Sequence, residues 1–223
     1  ARNGQELREF IYTDVEQAYQ STDLALLAHH IITTPVDQDF DQKRRLLFLV
    51  RDDGKFATLT VYRAEAVTAW TLHETAGQVL SVAVVGDNVY LMVTRGSQTV
   101  IELVDDGVAL DAALQGEAGS PTTTWSGLSH LNGNTVTLIG DGRVLGTSLV
   151  SGGAVTSPAA VMNLKAGLPF THIIEPLPIS NVTAGGMATA IRPVNITLRL
   201  QQTAALQIDM GRGLTAMSLR QLG

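Results

Sequence analysis

Between residues 46 and 166 the chain is cut at short intervals by turn-forming residues, and this punctuation limits the fold more than any other feature. Apolar, β-branched runs occupy 46–51, 56–62, 66–73, 79–85, 89–94 and 99–104. The separators are Asp52-Asp53-Gly54-Lys55, then 63–65, 75–77, 86–88 and 96–98. Strands of about six residues joined by turns of two to four are the sequence form of an up-and-down antiparallel sheet. A denser version follows over 127–170, with "NGN" at 132–134, "GDG" at 140–142 and "SGG" at 151–153. Asn-Gly and Asp-Gly favour tight hairpins because these residues tolerate positive φ. Runs 135–139, 143–150, 154–157 and 161–166 therefore read as a small antiparallel unit.

The chain has 223 residues, enough for one large β domain or two modest ones. It is 45% hydrophobic and only 16% charged, so its polar surface rests on Thr, Ser, Gln and Asn, which suits β structure. A net charge of −6 gives no general attraction to nucleic acid. There is no cysteine, which rules out disulfides, thiol catalysis and zinc–thiolate sites. The opening ARNGQELREF lacks the apolar segment of a signal peptide, and runs such as 79–85 are too short to span a bilayer as helices. The first residue is Ala rather than Met, as expected of a chain processed or cut from a longer protein.

The remaining segments complete a mainly β reading: an antiparallel meander resembling part of a β-propeller, a small inserted β-barrel-like domain, and one short helix. Residues 6–12 alternate and predict a first strand. Ser21, Thr22 and Asp23 precede Leu24, Leu27 and Ile31, the pattern of a capped helix over 24–32. Residues 33–45 read as a loop, and 105–124, rich in Ala, Gly, Thr and Asp, as a linker. Strands are expected at 172–175, 193–201, 206–210 and 214–219, the last two joined by Gly211-Arg212-Gly213. The expected organisation is 1–124 as meander with its short helix, 125–170 as the small domain, and 171–223 returning to the larger β region. The meander core is expected to hold Leu47, Leu49, Leu59, Val61, Trp70, Leu80, Val82, Val84, Leu91 and Val93.

The chemistry-bearing residues give no reaction centre, and no catalytic, cofactor-binding or metal-binding residue is assigned. His29 and His30 are sequence neighbours, so on a helix they point apart and do not share an ion with Asp37, Asp39 and Asp41. Asp52-Asp53 and Asp105-Asp106 each precede a glycine, which is turn chemistry; a glycosidase needs two carboxylates facing each other across a sugar. No nucleophile elbow, phosphate loop or His-Glu-x-x-His stretch is present. Asn181 and Asn195 open glycosylation sequons, a frequent chance match. Trp70 and Trp125, the only tryptophans, read as core anchors rather than sugar platforms.

Several motifs together resemble bacteriophage tail proteins of the nozzle type. Asp23, Leu27, Ala28 and His30 match a D-L-x-x-L-A-x-H-like segment, and Arg51, Asp53 and Gly54 a strand ending in R-x-D-G. Tyr62 and Glu65, then Ala69, Trp70 and His73, continue the order. The unit at 127–170, with "VSGGAVT" and "GLPF", and the late "RPVNITLRL" extend the resemblance over nearly the whole chain. It implies a non-enzymatic virion component without cofactor, made in the bacterial host cytoplasm. Such a protein associates with itself in a ring, joins other tail or head–tail connector proteins, and lets DNA pass without sequence-specific binding or membrane insertion. Family members usually extend beyond a point like Gly223, so further C-terminal sequence is expected. The alternative is a glycan-binding module of a tail fibre or adhesin, which needs an exposed aromatic platform; a hydrolase fragment is disfavoured by the missing constellation.

Overall fold

A computed structural model describes residues 6–13, 17–65, 67–175, 196–200 and 206–217. The protein is mainly β, with antiparallel sheets, 62% strand and 3% helix. The chain divides into two compact units, Ala1–His172 and Ile173–Gly223.

The first unit opens with a hairpin of β1 (Arg8–Thr13) and β2 (Ala18–Asp23). A four-stranded up-and-down sheet follows, made of β3 (Pro35–Asp41), β4 (Leu46–Arg51), β5 (Phe56–Tyr62) and β6 (Val67–His73), in that spatial order. A three-stranded sheet contains β7 (Gln78–Val85), β8 (Asn88–Arg95) and β9 (Gln98–Leu103). The fourth sheet has the order β10-β13-β11-β12, from β10 (Asp111–Ser126), β11 (Thr135–Gly140), β12 (Arg143–Leu149) and β13 (Ala154–Leu168). In the second unit β14 (Leu206–Asp209) and β15 (Leu214–Met217) form a hairpin. No helix among the described residues is long and apolar enough to cross a membrane.

Strands β4 to β9 fall within a residue or so of the runs read from sequence, because each is an apolar run between turn residues; β4, β5, β7 and β8 bury residues, whereas β6 and β9 are half-buried at most. Phe48 and Val50 of β4 pack against Val79, Val82, Val89, Leu91 and Val93, so the four-stranded and three-stranded sheets share one core. The other face of β4 is covered by a short segment: Leu49 and Trp70 pack with Ala25 and Ile32. The turn joining β4 to β5 needs its glycine. Gly54 sits at φ +79°, and a Cβ there would lie 2.8 Å from the Gln78 Cβ. Its carbonyl accepts from Val79 N at 2.9 Å, tying the two sheets.

The structure corrects several expectations. Residues 24–31 form successive turns, not a helix; Ala28 N bonds Ala25 O and Ile31 N bonds Ala28 O. The covering segment is held at its ends instead, where Asp23 Oδ1 accepts from Ala25 N and Arg51 Nη1 donates to Ile31 O. The loop expected over 33–45 contains β3, and the linker expected over 105–124 contains most of β10. The boundary expected between Thr124 and Trp125 thus cuts a strand that pairs with β13 from Asp111 to Ser126. Residues 154–157 and 161–166 are one strand, β13. Residues 172–175, expected as a strand, have no regular secondary structure, nor do the described residues 196–200 of the strand expected over 193–201. Asn181 and Asn195 lie outside the described residues.

Of the expected meander core, Leu49, Leu59, Val82, Leu91 and Val93 are buried, while Leu47, Val61, Trp70 and Val84 are half-buried. Leu80 is 40% exposed. The pairing steps from Val79↔Val93 to Ser81↔Met92, so a bulge at Leu80 reverses the alternation and turns its side chain outward. The small sheet has its own core of Trp125, Leu128, Leu131, Val136, Leu138, Val155 and Leu164. Trp125 rests on Gly116, where a Cβ would stand 3.0 Å from its ring.

Candidate functional site

Two seams separate the four-stranded sheet from the three-stranded sheet, and they differ. At the first, β3 lies beside β7. The register of the β7–β8 hairpin points the N–H groups of Val82 and Val84 away from β8. They donate to the carboxylates of β3, Val82 N to Asp37 Oδ2 at 3.0 Å and Val84 N to Asp39 Oδ2 at 2.6 Å. Asp37 and Asp39, spaced by two on one strand, therefore cap alternate amides of a strand edge. Asp41, fully buried at the end of β3, accepts from Lys43 N, Arg44 N and Arg44 Nη1. Burial alone would raise its pKa, but the Arg44 and backbone donors outweigh it and hold the carboxyl below its ordinary value.

The second seam is a cleft of about 720 Å³ bounded by β9, by Glu74 and Thr75 after β6, and by the start of β10. Apolar side chains of the shared core, among them Phe56, Val79, Leu91 and Val93, line it. Arg95 closes one end, with its side chain only 1% exposed. Arg95 Nε donates to Glu102 Oε1 at 2.9 Å and Nη2 to Glu102 Oε2 at 2.6 Å, a bidentate pair across the β8–β9 hairpin. Nη2 also reaches Asp111 Oδ1 at 3.3 Å, and Nη1 donates to Thr75 Oγ1 at 2.5 Å. The Thr75 hydroxyl in turn donates a hydrogen bond to the Asp111 carboxylate at 2.8 Å. Burial works against the guanidinium charge, but Glu102 and Asp111 outweigh it and raise the Arg95 pKa. The network fastens β8, β9, the 74–77 link and β10 together.

Two histidines stand in the same cleft. The His73 ring stacks on Phe56 with centroids 4.6 Å apart, and its Nε2 lies 2.9 Å from Thr58 Oγ1. Burial, with a smaller contribution from His172, pushes the His73 imidazole below its ordinary pKa. His130 Nε2 donates to the Ala112 carbonyl at 2.8 Å, which fixes its tautomer.

The residues singled out in the sequence occupy separate places. His29 Nε2 pairs with Asp23 Oδ2 at 2.8 Å, and His29 and His30 are both exposed. Asp53 receives Arg51, while Asp106 receives Arg44. Asp105 Oδ1 caps Gly107 N at 2.8 Å. No group of three metal-ligating side chains occurs among the described residues. Trp125 is buried in the small sheet, and Trp70 donates from Nε1 to Leu24 O at 2.9 Å. The Arg95 cluster is missing from the sequence reading, although its signal was there: Arg95 continues the inward phase of Val89, Leu91 and Val93. Compared with known proteins, the chain matches no family model and no curated protein.

Proposed function

We propose that this chain is a structural component of a phage or prophage tail, a β scaffold of the tube or nozzle that binds copies of itself and joins neighbouring tail proteins. The observation that carries this reading is the state of its strand edges. Strands β6 and β9 end their sheets without proline, lysine or bulge, three of the devices by which chains that stay single defend their edges, which leaves β6 for a copy of the chain and β9 for a neighbouring protein. A four-stranded meander, β3–β6, and a separate four-stranded sheet, β10–β13, support a reading as a blade and a small added domain. The motif resemblance supplies the rest: a virion location, a cyclic ring, and a channel that DNA crosses without specific contacts. A net charge of −6 suits a wall that does not hold DNA. The buried Arg95 is spent on Glu102 and Asp111, which suits a fastening rather than a reaction.

Electron microscopy and light scattering of the full-length protein test this. A closed ring with cyclic symmetry is expected, stable in salt because strand edges and apolar contacts are little screened. A strict monomer at high concentration, still ringless with other tail components, contradicts it. One observation favours the glycan-binding alternative: Phe10, Tyr12 and Tyr19 share one face of the β1–β2 hairpin and are 71%, 51% and 76% exposed. Glycan binding lost on replacing Tyr12 and Tyr19 would select that reading.

A further inference from the structure

We infer that the open seam beside β9 is a binding site for an extended segment of another protein, one that alternates apolar residues with Lys or Arg and adds as a strand to β9. The backbone comes first. The β8–β9 hairpin has a two-residue turn, and Val104 N still bonds Val89 O beyond its last pair. Alternation then places Val93↔Val100 and Leu91↔Glu102 as hydrogen-bonded pairs. The N–H and C=O groups of Thr99, Ile101 and Leu103 point away from β8, those of Ile101 and Leu103 at the cleft, and no bond to them is found among the described residues. They have the two-residue period of Val82 and Val84 on β7, whose amides are met by carboxylates. At β9 the equivalent groups have no such partner among the described residues.

Side chains select the occupant. Ile101 and Leu103 are 75% and 50% exposed on the outer face, next to Met92, while the inner face opens onto the apolar floor of the cleft. An alternating strand lays its apolar residues over Ile101 and Leu103 and turns Lys or Arg towards the acids that line the cleft. The volume, about 720 Å³, lies within the roughly 300–1,000 Å³ of ligand clefts. Glu74, Glu102, Asp105 and Asp111 line the seam against one cation, Arg95; adding Lys55, which pairs with Glu74, leaves four acids to two cations. This balance draws a basic segment and disfavours a second copy of a chain that itself carries −6. Main-chain bonds to an edge give affinity and alternate side chains give specificity. The site stands on this geometry whether or not the chain belongs to a tail.

The probe is a capped octapeptide of alternating Val and Lys, with alternating Val and Glu as control, titrated against the intact chain. Amide exchange followed by NMR reads the contact. Binding is expected to slow exchange at Thr99, Ile101 and Leu103 by about tenfold or more, with Val100 and Glu102, already bonded to β8, unchanged. The Val-Glu peptide is expected to bind at least about tenfold more weakly. Ile101→Lys, at an exposed position that leaves folding intact, should weaken the Val-Lys peptide by a similar factor. Failure to bind, binding without protection of those three amides, or an undiminished Ile101→Lys complex overturns the site. Equal affinity for the two peptides, or protection by the chain's own copies without peptide, overturns the assigned occupant.

Discussion

The two seams of the first unit are built from the same kind of strand edge and end differently. At β7 the outward amides of Val82 and Val84 are met by Asp37 and Asp39 from β3. At β9 the outward groups of Ile101 and Leu103 meet a cleft, and those of Thr99 continue the same open edge. Carboxylates at a two-residue spacing satisfy an edge without adding a strand, so they close it to other chains. Leaving the other edge uncapped keeps one direction available for assembly. The difference teaches that acidic residues in an all-β chain can be edge fittings rather than ligands or catalysts.

The largest effect is expected where the open seam is anchored. Arg95→Leu leaves Glu102 and Asp111 facing each other without their cation, and should cost about 3–5 kcal/mol in urea unfolding. Next comes the closed seam. The double change Asp37→Ala with Asp39→Ala strips two capped amides at about 1–3 kcal/mol each, whereas Asp→Asn at both positions keeps an acceptor and recovers part of it. Loss of stability with no recovery in the asparagine pair would make the carboxylates mere bulk. Trp70→Phe removes the bond to Leu24 O and should cost about 1 kcal/mol.

A smaller effect follows from pH. The folded state lowers the His73 pKa, so below the ordinary value of 6.5 the unfolded chain binds more protons there. Stability is therefore lost as pH falls through 6.5 towards the lowered folded value, and it is present in full above 6.5. His73→Gln should flatten the decline between about pH 7 and about pH 5 relative to the parent chain. The smallest effect is Ile101→Lys, within about 0.5 kcal/mol, because an unpaired edge at an exposed position tolerates charge.

Legibility in the sequence followed apolar runs bounded by turns. Strands β4 to β9 were readable because each carries an apolar run between turn residues. Strand β3, PVDQDFD, was hidden because its aspartates serve a neighbouring sheet rather than water. Strand β10 was hidden because Gly, Ala and Thr fill it, and its pairing with β13 slips register repeatedly. Leu80 was misassigned because a bulge breaks the parity on which the reading depends. The site was half-legible: Arg95 in phase with buried valines marks an interior cation, but its partner Asp111 lies on a segment whose strand carries no pattern.

The most direct test of the account is native-state amide exchange on the chain alone, with residue resolution across β7 and β9. Val82 and Val84 should exchange slowly, protected by Asp37 and Asp39, while Thr99, Ile101 and Leu103 exchange quickly beside slow Val100 and Glu102. Equal protection on the outward amides of both strands would contradict the distinction between a closed seam and an open one.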